Sequence, residues 1–86
     1  MEKKEVLNKL NNQYFKSFKR FKDVYEKMSF YDEQVKEFNS GFLKLIGAVL
    51  NGNINEIRAT LYSSWFFIYA TANEKDKLDL ELLGIF

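Results

Sequence analysis

The chain reads as an all-α protein, a three-helix antiparallel bundle followed by a short C-terminal fourth helix or an extended tail. Three observations predict this. Apolar residues recur at helical spacing, no proline interrupts the chain, and its four glycines are too few for a sheet-rich fold with many tight turns. Leu7, Tyr14, Phe21, Met28, Val35, Phe42 and Val49 follow one heptad series, and Leu10, Val24, Tyr31, Phe38 and Leu45 hold companion positions in it. Phe18, Tyr25 and Ile46 sit one position beyond the companions. They widen the stripe from the narrow seam of a coiled coil to the broad face of a globular bundle.

One helix over residues 3–50 would run roughly 70 Å, so a break is expected. Ser29 followed by Asp32 and Glu33 resembles a capping box, in which a hydroxyl and a carboxylate satisfy backbone N–H groups at a helix start. The break is therefore placed near residues 29–31, with helix one near 3–28 and helix two near 31–50. Gly41 beside Ser40 weakens helix two by about 1 kcal/mol without disturbing the apolar phase.

Asn51, Gly52 and Asn53 are the clearest punctuation. Gly52 suits a left-handed helix cap, and Asn53 with Glu56 makes an N-cap pair. The Asn-Gly pair also suits a hairpin turn, and residues 61–71 are rich in strand-favouring side chains. The caps decide for a helix near 54–72. The polar run 73–77 ends it, and Leu78, Leu80, Leu82, Leu83, Ile85 and Phe86 supply the terminal apolar segment, a short helix near 76–84 or a tail.

Helix three carries more apolar surface than one small core can hide. Ile54, Ile57, Leu61, Trp65, Ile68 and Ala72 form one stripe, and Tyr62, Phe66 and Tyr69 form a second, about 100° around the helix. The first is assigned to the core, and the second is either more core, in a monomer whose other helices surround helix three, or an interface with a second copy or a different protein. A chain of 86 residues buries only about 60 to 68% of its unfolded surface, so the second stripe is assigned to a homodimer interface.

Composition narrows the function. With 47% hydrophobic, 17% aromatic and 29% charged residues the chain is globular, not disordered. It has no cysteine and no histidine, hence no disulfide framework, no thiolate metal site, and neither the commonest zinc ligands nor the commonest general base. A non-enzyme without cofactor or metal is expected. Asp76, Asp79 and Glu81 lack calcium-loop spacing, Asp32, Glu33 and Glu37 read as charge at a helix start, and no glycine-rich phosphate loop occurs. No stretch reaches the roughly 20 apolar residues of a membrane span, and residues 1–10 lack the apolar run of a secretory signal, so a cytoplasmic protein is expected.

Net charge is only +1, but it is unevenly placed: residues 1–29 carry eight Lys/Arg against four Asp/Glu, and residues 30–86 carry five against eight. Helix one turns Lys9, Lys16, Lys19, Arg20, Lys22 and Lys27 away from its apolar stripe, with Phe15 among them. Neighbour pairs Glu5–Lys9, Lys22–Glu26 and Asp23–Lys27 suit a merely solvated face, with Phe15 covered by a neighbouring helix, as the plain alternative. The reading adopted is that Phe15, Lys16, Lys19 and Lys22 dock another protein with an acidic surface, making the chain a stoichiometric regulator, inhibitor or adaptor. One alternative is a nucleic-acid binder, with lysines on phosphates and Phe15 stacked on a base. It ranks second because the chain has eleven Lys and two Arg, whereas base-specific readers rely on Arg. The other alternative is a structural oligomer subunit.

Overall fold

The computed structural model describes residues 3–84, in which the elements are α1 (Lys3–Tyr25), α2 (Tyr31–Asn51), α3 (Ile54–Ser63), α4 (Trp65–Ile68) and α5 (Ala72–Gly84). All are helical, and no strand occurs among the described residues. Helices α1, α2, α3 and α5 close a ring in which each packs on the next and α5 returns to α1, while α4 lies against α1, α2 and α3. This is a four-helix ring with a one-turn plug. The all-α expectation holds, while the helix count and arrangement differ from the expected three-helix antiparallel bundle. Ile85 and Phe86 lie outside the described residues.

Helix α1 buries Val6, Leu10, Gln13, Ser17 and Phe21, a stripe at spacings of three and four. Ser17 fills the gap in the companion series between Leu10 and Val24, and Gln13 Nε2 donates to its Oγ at 3.1 Å. Val24 and Met28, counted with the apolar series, are exposed. The helix stops at Tyr25, and a turn over residues 26–30 reverses the chain, with Met28 N donating to Tyr25 O at 3.0 Å and Tyr31 N to Met28 O at 3.1 Å. Phe30, not Ser29, holds the N-cap of α2, and no side chain bonds there.

Helices α1 and α2 run antiparallel. Tyr14 donates its hydroxyl hydrogen to Asn39 Oδ1, the Phe18 and Phe21 rings lie 5.5 and 4.9 Å from Phe38, and Lys3 Nζ donates to Leu50 O at 3.3 Å. Gly41 lies inside an unbroken α2, on the side facing Ser64, where a Cβ would stand 3.4 Å from the Ser64 Cβ. Gly52 is extended (φ −94°, ψ −179°) and not left-handed. What requires glycine there is space, since a Cβ would lie 2.7 Å from Ala48 O. Asn53 then caps α3 by accepting from Glu56 N at 2.9 Å.

The single helix expected over 54–72 breaks at Ser64, whose backbone is extended (φ −90°, ψ 145°). Ser63 Oγ donates to Thr60 O at 3.1 Å and Ser64 Oγ to Leu61 O at 2.9 Å. These hydroxyls offer the carbonyls a partner other than a helical N–H, which is how paired serines end a helix. The break resets the helical phase. Phe66 and Phe67 both turn into the core, Trp65 and Tyr69 are half-buried against α1, and Ile68, expected in the core, is 62% exposed. Ala72, the last residue of that expected stripe, is also exposed.

The polar run 73–77 belongs to the first turns of α5, which starts at Ala72 and not near 76. Its start is a capping box that the sequence contains as Thr71-x-x-Glu74: Glu74 N donates to Thr71 Oγ1 at 3.2 Å and Thr71 N to Glu74 Oε1 at 2.8 Å. Leu78 and Leu82 are the buried residues of this helix.

Candidate interaction surface

The described cations fall into two groups. Three of them are tied to carboxylates of α5. Lys9 pairs with Glu81 at 2.5 Å, Arg58 lies 3.9 Å from Asp79, and Arg20 grips Glu74 at 2.6 Å. Arg20 was expected on the solvated side, but it tethers α1 to the start of α5: Nη1 also donates to Tyr69 O at 2.9 Å and Nη2 to Glu74 Oε2 at 3.3 Å. Gln13 Nε2 adds a bond to Glu74 Oε1 at 3.0 Å. Arg20 first, then the Thr71 N–H and Gln13, hold the Glu74 carboxyl down at about 2 against the opposing effect of burial.

Six other lysines are in no such pair. Lys4, Lys16, Lys19, Lys22, Lys36 and Lys44 take part in no ion pair among the described residues. The expected pairs Lys22–Glu26 and Asp23–Lys27 do not form, and Lys9 reaches across to α5. Surface side chains at i and i+4 gain too little from pairing to outweigh their own entropy.

Phe15 stands among these lysines with 63% of its surface exposed, its ring edge against Tyr14 at 5.4 Å. Helical spacing puts Lys4, Asn11 and Lys22 on the same stripe as Phe15, with Lys19 one turn away. Lys16 is separate. It lines a groove of about 490 Å³ between α1 and α5, together with Lys9, Asn12, Gln13, Lys77 and Leu78. The four residues expected to act together thus divide into Phe15, Lys19 and Lys22 on one face and Lys16 on its flank.

The face continues onto α2 through Tyr14, whose hydroxyl bonds Asn39. Asn39 lines a shallow depression with Lys36, Ser40, Leu43 and Lys44. Leu43 is 67% exposed and Leu50, two turns on, is 51% exposed. Spacing alone does not mark either leucine, because Leu43 follows the heptad residue Phe42 and Leu50 follows Val49, so each falls at the edge of a core stripe.

The residues assigned to a dimer stripe separate. Phe66 is completely buried, its ring 5.5 Å from Phe42 of α2, so it is corrected from interface to core. Tyr69 packs on Phe21 and Tyr25, at 5.8 and 6.5 Å, and burial first, with Tyr25 second, pushes its hydroxyl up to about 12. Tyr62 stays 54% exposed but leans on Phe67 at 4.8 Å and donates to Asp79 Oδ2 at 2.6 Å. No stripe joins them, because the break at Ser64 lies between Tyr62 and Phe66.

No group of three or more acidic side chains that could hold a metal ion occurs among the described residues, and none of their helices is long and apolar enough to cross a membrane. No protein-family model, curated protein sequence or solved structure gives a match to this chain.

Proposed function

We propose that the protein is a non-catalytic binding module, a stoichiometric regulator, inhibitor or adaptor that docks a folded partner through Phe15 with Lys19 and Lys22, and with Lys16 on the flank. One observation carries this: an aromatic ring is held 63% exposed in the middle of the longest helix, among lysines that the fold does not use. A solvated face needs the lysines but gains nothing from the ring, whereas an aromatic anchor with a cationic rim is the arrangement that supplies both hold and steering. The reading adds no cofactor and no metal. A photo-crosslinking phenylalanine analogue at position 15, introduced in the native host, is expected to trap one protein, and Lys19→Glu with Lys22→Glu is expected to abolish the adduct. The same adduct from an analogue at Leu80, or none from position 15, contradicts the proposal.

Self-association is a second reading that one observation favours, at a place other than the expected stripe. Val24, Met28, Phe30 and Ile68 are exposed, and Phe30 lies against the half-buried ring of Tyr25, which itself packs on Trp65 and Tyr69. Exposed apolar side chains of this kind suit a second copy.

A further inference from the structure

The division of cations gives the outer α1–α2 face a charge and a shape that specify its occupant. Along α1 the stripe is Lys4, Asn11, Phe15 and Lys22; along α2 it is Asp32, Lys36, Leu43 and Leu50. Asp32 is the one carboxylate in the two stripes, against three unpaired lysines. The helices are held side by side by the Tyr14–Asn39 bond and by Lys3 on Leu50 O, so the seam between them runs nearly their whole length. Phe15 of α1 and Leu43 and Leu50 of α2 are all more than half exposed on the two helices that flank that seam. Leu43 and Leu50 are two helical turns apart, about 10 Å at 1.5 Å per residue, the interval at which a docked helix repeats its own apolar positions.

From this geometry we infer that the outer seam of the α1–α2 hairpin binds an acidic amphipathic helix of the partner protein. Its apolar side chains seat over Phe15, Leu43 and Leu50, and its carboxylates meet Lys4, Lys19, Lys22 and Lys36. Leucines favour this occupant over nucleic acid, since they offer a base no ring to stack on. The inference rests on the docking proposal above and names the chemistry of the partner at the same site.

The test titrates the full chain with a stapled synthetic helix bearing leucines at i, i+4, i+7 and i+11 between flanking glutamates. Fluorescence anisotropy and amide chemical shifts are read together. Saturable binding with shifts confined to the outer faces of α1 and α2 is expected, weakened at least about tenfold by Phe15→Ala with Leu43→Ala. Binding is also expected to weaken as ionic strength rises. Unchanged circular dichroism and melting of the double variant separate lost contact from lost fold. Equal binding of a helix with lysines in place of the glutamates overturns the inference, as does binding of the acidic helix elsewhere on the chain or no binding at all. Preference for oligothymidylate or for anionic phospholipid vesicles assigns the seam to another class of partner and overturns it too. If the acidic helix fails while the analogue at position 15 still traps a protein, the occupant is wrong and the docking face stands; failure of both removes the docking face as well.

Discussion

Glu74 does three things at once: it accepts from Arg20 and Gln13 of α1, and it closes the capping box with Thr71 at the start of α5. Its carboxyl titrates at about 2 in the fold, below the ordinary 4.5, so the contribution is present above about pH 4.5 and is lost as pH falls through about 2. A shift of this size corresponds to roughly 3 kcal/mol, which solvent screening around the 40% exposed Arg20 side chain reduces to about 1–2 kcal/mol. Glu74→Gln is therefore expected to lose about that much stability at neutral pH and to flatten the acid limb of stability against pH, measured by urea unfolding between pH 7 and about 2. The glycines give opposite expectations. At Gly47 a Cβ meets nothing within 4 Å, so Gly47→Ala should stabilise α2 by about 0.5–1 kcal/mol, whereas Gly52→Ala drives a methyl into Ala48 O and should destabilise. Thermal melts of the two variants should move apart. The Gly52 turn and the Asn53 cap were legible in the sequence, but the reason for Gly52 was not, because close approach depends on where Ala48 and Glu56 lie in space.

Helix α4 shows how the chain accommodates its surplus of aromatics. On a continuous helix Trp65, Phe66, Phe67 and Tyr69 would point all around, and that premise made an external interface seem necessary. The extended Ser64 removes the premise by rotating the following turn, so that Phe66 meets Phe42 of α2, Phe67 meets Tyr62 and lies under Lys75, and Trp65 and Tyr69 meet α1. Phe66→Ala should then cost about 3–5 kcal/mol in equilibrium unfolding, as a core truncation does, and half-buried Trp65→Ala about 2–3 kcal/mol. An unfolding midpoint unchanged in Phe66→Ala would return that ring to the surface. Helical periodicity exposed the elements but could not locate the break, since the serines act by bonding carbonyls and Gly41 admits Ser64 only through tertiary approach. The Thr71-x-x-Glu74 capping box is present in the sequence, but a helix three uninterrupted to residue 72 leaves no helix start for it to cap.

The ring as a whole separates folding from display. Aromatic packing of α1 and α2 on α4, the apolar seats of Leu78 and Leu82, and the ties of Lys9, Arg20 and Tyr62 to α5 hold it together. Phe15 and Leu43 lie on its outside. Phe15 among basic residues is legible in the sequence, but not which of those cations are engaged, because the carboxylates that claim Lys9 and Arg20 lie on α5, far along the chain. The exposure of Val24 and Ile68 gives an independent expectation: light scattering at micromolar concentration should find a dimer that Ile68→Asp dissociates, and a monomeric wild type rejects that second reading. The separation itself is tested by urea unfolding of the double variant Phe15→Ala, Leu43→Ala. If the outer seam is reserved for a partner, its unfolding free energy stays within about 1 kcal/mol of wild type; a loss of about 3 kcal/mol or more would put these side chains in the core and contradict the docking face.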